Sequence, residues 1–361
     1  MRALALVVAG LLLATTAGLA AADDDGPHFT FGASTSYTYD IGEPDPGANN
    51  FIYYGALEPG SSESFNIDLV QIGVNGQRDG LAYSAKLDFG DLAVLAENTL
   101  GVGGDGDVGI QEAYVAYSFD PIIVTAGRFP TPIGYEVLEP WGNAHISRSR
   151  AWSLQPISHD GLTVSTQTGG IDVTVGVANS FYITDDAVND LDDGKSVLAS
   201  IGGAAGDVDL SVAGIYGKDV DQGFGHKLDL WLANGIASTS IGDVGVAIEG
   251  NYREDNPEGG NPDAQTWNVT AYVGVDIGPT TFDVRGDYGD YELAIPGGDL
   301  GDIWSVTTTL GIPLSDGVAF RVEYIHVQSP DTDLFDFDAS DFSSDDTADI
   351  LQAQVVWNPE F

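Results

Sequence analysis

From His28 to its carboxyl end the chain repeats with a period of two, and this constrains the fold more than any other feature. Trp267, Val269, Ala271, Val273, Val275 and Ile277 fall on one face of an extended backbone, with Thr266, Asn268, Thr270, Tyr272, Gly274 and Asp276 on the other. Phe282, Val284, Gly286 and Tyr288 alternate with Asp283, Arg285 and Asp287, and Val318, Phe320, Val322 and Tyr324 with Ala319, Arg321 and Glu323. One face apolar and the other polar describes a strand wet on one side only. Sixteen such segments are predicted, beginning near His28, Ser64, Leu81, Val108, Ile122, Gly161, Ile171, Ser196, Val208, Gly225, Ile241, Thr266, Thr280, Asp302, Val318 and Ala348. Outside the amino terminus there is no helical stripe and no domain linker.

The connections alternate in length. Gly76 to Gly80, Asp120-Pro121, Thr168 to Gly170, Ala205 to Asp207, Ala237 to Ser240, Gly278-Pro279 and Gly311 to Gly317 are short. Between them lie longer loops, among them Ile41 to Glu63, Ala93 to Asp107, Pro130 to Asp160, Ser180 to Lys195 and Ser329 to Thr347. Short turns on one rim, long loops on the other and an even strand number predict an all-β, transmembrane, antiparallel up-and-down barrel of about sixteen strands (14–18), with periplasmic turns and outer loops. A sandwich rarely needs so many strands, and a β-helix needs a visible fixed repeat.

The amino terminus gives the compartment. Arg2, the apolar run Ala3 to Leu13 and Ala20-Ala21-Ala22 read as a secretory signal peptide over residues 1–22, too short to span a bilayer. Residues 23–361 then form the barrel in a bacterial outer membrane. At the other end Leu351, Ala353, Val355, Trp357 and Phe361 share one parity. A last strand closing on an aromatic residue resembles the signal read by the barrel-assembly machinery, which gives Trp357 and Phe361 that role.

The segment Gly127-Arg128-Phe129-Pro130-Thr131-Pro132-Ile133-Gly134-Tyr135-Glu136 continues through Glu139-Pro140 and Ile146-Ser147-Arg148-Ser149 to Gln155-Pro156-Ile157-Ser158-His159-Asp160-Gly161. It resembles the OmpL-like β-barrel porin family of bacterial outer membranes, in which a Gly-basic-Phe strand end leads into Thr-Pro-Ile-Gly-Tyr-Glu and later His-x-Gly. The resemblance is specific over these residues and architectural elsewhere. It implies a porin-like channel for passive diffusion and names no solute.

Residues 130–160 make the longest of the predicted outer loops and are the expected constriction. They carry Glu136, Glu139 and Asp160 beside Arg148 and Arg150, with Arg128 at the root. The chain has only 12 Lys and Arg in all, and opposed charges in a narrow pore set ion preference. The alternative is a loop pinned by structural ion pairs. At predicted lumen parity lie Lys86 with Asp88, Lys227 with Asp229, Arg285 between Asp283 and Asp287, and Arg321 with Glu323. These form either wall-bracing pairs or a solute-guiding ladder. Trp231 is also assigned to the lumen; Trp267, Trp304 and Trp357 are assigned to a lipid-facing girdle. Trp141 and Trp152 either plug the loop against the wall or stack on sugars.

A formal charge of −43 excludes nucleic acid as a partner and points to a cation-preferring mouth. A structural or adhesive barrel with a blocked lumen, or an anion- or sugar-selective channel, remains the alternative. Outer-membrane lipid, small hydrophilic solutes and a possible homotrimer complete the expected partners. No cofactor or metal site is expected. The chain lacks cysteine, and the Asp clusters at Asp185 to Asp193 and Asp331 to Asp346 do not match a calcium loop. No enzyme is expected either, His145 with Ser147 being the nearest approach to a base and nucleophile.

Overall fold

The computed structural model describes residues 25–41, 64–94, 108–181, 195–221, 227–257, 262–292, 299–329 and 347–359. The signal-peptide residues, both Asp clusters and Phe361 lie outside the described residues. Sixteen strands follow in chain order: β1 (Asp25–Asp40), β2 (Ser64–Arg78), β3 (Leu81–Phe89), β4 (Val108–Ser118), β5 (Ile122–Pro130), β6 (Ser158–Thr168), β7 (Ile171–Ala178) and β8 (Ser196–Ala205) make the first half. β9 (Val208–Asp221), β10 (Lys227–Ile241), β11 (Val244–Pro257), β12 (Ala264–Ile277), β13 (Thr280–Glu292), β14 (Asp299–Ser315), β15 (Val318–Gln328) and β16 (Thr347–Trp357) make the second. Each pairs with its sequence neighbours, and β1 pairs antiparallel with β16 from Ala33↔Trp357 to Asp40↔Ile350, closing the barrel. Closure leaves no sheet edge, which spanning a bilayer with strands requires.

The short turns have the backbone that tight hairpins need. Gly169 and Gly170, between β6 and β7, both have positive φ (61° and 80°). A two-residue type I′ turn demands this of both central positions, and glycine adopts it without steric cost.

Outward positions are apolar: Val269, Val273, Phe282, Val306, Leu310, Leu351 and Val355 are all exposed on the outer wall. Aromatic pairs ring this face. Toward the long-loop rim Trp231 meets Tyr252 at 4.9 Å, Trp267 meets Tyr288 edge-on at 5.4 Å and Trp304 meets His326 at 5.2 Å; toward the short-turn rim Phe31 meets Trp357 at 5.0 Å. Such belts match the two interfaces of a bilayer.

The inner wall is not uniformly polar. Near the long-loop rim Phe181, Leu228, Leu230, Leu232, Ile303, Ile325, Val327 and Ile350 form a buried apolar cluster. Lower in the lumen β16, β1, β2 and β3 present Gln354, Ser36, Asp68, Gln71 and Asp88, joined by hydrogen bonds (Gln354 to Asp68 2.9 Å, Gln71 to Asp88 2.9 Å, Ser36 to Asp68).

Candidate functional site

The segment between β5 and β6 folds into the barrel. Pro130 and Pro132 remove two backbone donors, so the β5 ladder cannot continue. Gly134 turns the chain inward at φ 103°, where a Cβ would overlap the side-chain amide of Gln155. A one-turn helix, α1 (Arg150–Ser153), starts the return; Ser149 caps it by accepting from the Trp152 N–H at 3.2 Å. Every residue from Thr131 to Ile157 is buried or half-buried, so the loop crosses the lumen packed on all sides.

Charged wall residues hold it there. Glu323 of β15 accepts the N–H groups of Ile146 (2.7 Å) and Ser147 (2.8 Å) and the Thr309 hydroxyl (2.6 Å). Arg285 of β13 pairs with Glu136 at 2.9 Å and donates to the Ser147 carbonyl and hydroxyl at 3.0 and 2.9 Å. Glu136 also accepts the Ser149 N–H at 2.6 Å. Arg321 donates to the Pro140 carbonyl at 2.9 Å. On the opposite wall Lys86 bridges Glu112 and Glu139, each at 2.8 Å. Burial works against ionisation of Glu139, yet the Lys86 ammonium overrides it and holds the Glu139 carboxyl below its usual range. Arg148 turns back on its own loop and donates to the carbonyls of Val137, Leu138 and Ile146; burial pushes its guanidinium down to about 10. Arg150 lies over the Tyr291 ring, 5.8 Å from its centroid. Trp141 and Trp152 pack with Leu69, Leu92, Leu138 and Val356, and Trp141 covers Gly32 so closely that a Cβ there would overlap its ring.

Lys86, Asp88, Asp283, Arg285, Asp287, Arg321 and Glu323 therefore face the lumen as the alternation predicts, and Glu136, Glu139, Arg148 and Arg150 lie inside the barrel. Their partners lie on the neighbouring strand, on the same strand and on the loop. Lys86 pairs with its cross-strand neighbour Glu112 as a wall-bracing pair does, and both Lys86 and Arg321 also reach the loop. Arg285 also keeps a same-strand neighbour, Asp287, at 3.3 Å.

Five assignments are corrected. Arg128 and Asp160 share the outward face with Ala126 and Leu162, across from Ala113 of β4. They form a bidentate pair (both contacts 2.7 Å), and Arg128 adds a bond to the Ile110 carbonyl at 2.8 Å. Lys227, Asp229 and Trp231 lie opposite in parity to the buried Leu228, Leu230 and Leu232. Asp229 accepts from the outward Tyr216 hydroxyl at 3.0 Å. The reason is position along the strand. A charge on the lipid face costs ~2–4 kcal/mol at the midplane but only ~0–1 near the interface. All four charged residues sit within a few residues of the long-loop rim, where pairing suffices.

Sequence reasoning passed over three further wall residues that hold the loop. Glu249 accepts from Gln155 (2.6 Å) and Asn234 (2.7 Å), Tyr272 reaches Ser149 at 3.2 Å, and Gln111 donates to Glu139 at 3.0 Å. Their lumen parity was readable; their loop partners were not. His145 meets Thr309 at 2.6 Å and lies 3.6 Å from Glu323, and the Ser147 hydroxyl accepts from Arg285. No group of three or more His, Asp or Glu among the described residues could hold a metal ion.

A family model described as "Putative beta-barrel porin-2, OmpL-like" matches residues 29–355. No curated protein matches the chain. Among solved structures, OmpT of Vibrio cholerae in a trimer form is similar at 13% identity and a TM-score of 0.61, over 93% of this chain and 100% of that one. An anion-selective porin from Comamonas acidovorans gives 13% and 0.60 (92% and 99% covered), and OprB of Pseudomonas putida 10% and 0.59 (92% and 94%). At these identities the likeness is one of fold.

Proposed function

The chain belongs to the OmpL-like family of β-barrel porins of the bacterial outer membrane, and we propose that it lets small hydrophilic solutes and ions diffuse passively, with residues 130–160 as the constriction. The observation that carries this reading is the loop, folded across the lumen and fastened to the wall by Glu323, Arg285 and Lys86. A loop in that place sets the pore diameter and puts fixed charge beside the solute path. A loop whose residues from Thr131 to Ile157 are all buried or half-buried supports ions and small solutes over larger ones. In this reading residues 1–22 are the cleaved signal peptide, the short turns are periplasmic, Trp357 and Phe361 are read by the assembly machinery, and the barrel forms a homotrimer.

Cation preference is supported by the balance of 55 acidic against 12 basic side chains and by how the basic ones are used: Arg148 is spent on carbonyls, and Lys86 and Arg285 on carboxylates. The field of the acidic mouth reaches far only at low salt, since the Debye length falls from ~30 Å at 0.01 M to ~3 Å at 1 M. Reversal potentials under a KCl gradient are expected to show cation selectivity at low salt that shrinks as salt rises. Anion selectivity at low salt would refute this.

The apolar cluster near the long-loop rim favours a second reading, a barrel with a blocked lumen whose outer loops act as a structural or adhesive surface. Planar-bilayer recording of the purified protein decides: steady open-channel current is the porin's outcome, and silence is the blocked barrel's.

A further inference from the structure

Between the short-turn face of the loop and strands β11 to β13 the lumen wall is notched. Gly245 and Gly274 are cross-strand partners, and Gly274 pairs on its other side with Asp283. All three face the lumen, so two adjacent wall positions carry no side chain. The Asp283 carboxylate folds over the gap, close enough that a Cβ on Gly274 would overlap it. The loop roofs the notch with Tyr135, whose ring meets that of Tyr272 at 4.5 Å and 40°. The Tyr272 hydroxyl is fixed by Ser149 and Glu249 at 3.2 and 3.3 Å, so its ring is held in place. The cavity that results has a volume of about 60 Å³ and no Lys or Arg among the described residues that line it. Four carboxylates line it: Glu136, paired with Arg285 at 2.9 Å, Asp243 and Asp276 toward the short-turn rim, and Asp283.

We propose that this notch binds the head group of a small organic cation, a guanidinium or an alkylammonium. A carboxylate supplies a charge-assisted hydrogen bond, and tyrosine faces attract a cation through their quadrupole. A bare metal ion would need an oxygen cage that the described residues do not form. The volume holds only a few waters' worth of ligand, which suits a planar head group and excludes a sugar ring. Entry is from the short-turn side, because the loop closes the other.

The test is titration calorimetry of the full-length protein in detergent with methylguanidinium, and with methylurea as a neutral probe of the same shape. Methylguanidinium is expected to bind and methylurea not. Asp283→Asn should weaken binding about tenfold or more, as loss of a charge-assisted bond implies, while Tyr135→Leu should weaken it several-fold. Equal binding of both probes, no binding of either, or unchanged affinity in Asp283→Asn would overturn the proposal. Asp283→Asn is close to isosteric on a half-buried site, and far-UV circular dichroism with unchanged melting confirms its fold. The proposal deepens the channel reading only where current is measured: methylguanidinium added on the short-turn side should reduce potassium current more than from the other side. Binding without conductance would sink the channel and keep the site; conductance without binding would do the reverse.

Discussion

Glu323→Gln should release the inserted loop without opening the barrel. The wild-type carboxylate uses both oxygens, one on the Ile146 N–H at 2.7 Å and one on the Ser147 N–H at 2.8 Å. A carboxamide keeps one acceptor and turns an NH₂ toward the other donor. One charge-assisted bond, ~1.5–3 kcal/mol, is lost, and one buried N–H is left unsatisfied at ~1–3 kcal/mol. A cost of roughly 3 kcal/mol is therefore a low central value, and at 1.4 kcal/mol per decade it raises the undocked fraction of the loop about 100-fold. The assay is trypsin cleavage after Arg148 and Arg150, both buried when the loop is docked. When opening is fast relative to cleavage, the rate follows the open population. Fragment masses separate these cuts from those at exposed sites such as Arg78, and heat-modifiable migration on a gel confirms that the barrel is intact. Equal cleavage in wild type and variant, with intact barrels, would mean that the Glu323 contacts do not hold the loop.

Gly32→Val should free the same bonds to trypsin without touching a charge, because any side chain at Gly32 meets the Trp141 ring. Lys86→Met should lower the melting temperature by stranding Glu112 and Glu139, a loss of about 3–5 kcal/mol for breaking a buried pair. The double variant Lys86→Met with Glu139→Gln should recover part of it, and additivity of the two in a thermal-melt cycle would deny the coupling. Deleting residues 142–147 should raise single-channel conductance in planar bilayers; unchanged conductance in a folded deletion would place the loop outside the solute path. An epitope inserted after Pro257, at the long-loop end of β11, should be reached by antibody on intact cells, whereas one at Gly278 should not. Exposure of the Gly278 turn would reverse the orientation.

Strand positions were legible because lipid outside and polar groups inside imprint the period of two directly on sequence. Ser64, Leu81, Val108, Ile122, Ile171, Ser196, Val208, Thr280 and Val318 begin strands in both the reading and the fold. Facing was lost where both sides of a strand are apolar. β10 carries Leu228, Leu230 and Leu232 inward and Trp231 and Ala233 outward, so periodicity could not say which side holds the lumen. Placing Lys227 and Asp229 there relied on a penalty that fades at the rim. The inserted loop was legible as a place, from its length and its arginines, and not as a set of contacts. Glu323 lies 177 positions from Ile146, and Arg321 lies 181 from Pro140; no local pattern records such pairs.

Those separations also bear on the order of assembly. The loop follows the fifth strand, yet it leans on Gly32 in the first, Glu323 and Arg321 in the fifteenth and Val356 in the sixteenth. Until the first and last strands have met, these supports do not surround it, and Arg148, Arg150 and Glu136 have no dry cage to enter. Docking of the loop thus reports that the circle is complete. A chain stalled with an open seam would leave the segment around Arg148 within reach of proteases, so incomplete barrels would be marked for removal by the same residues that narrow the finished one.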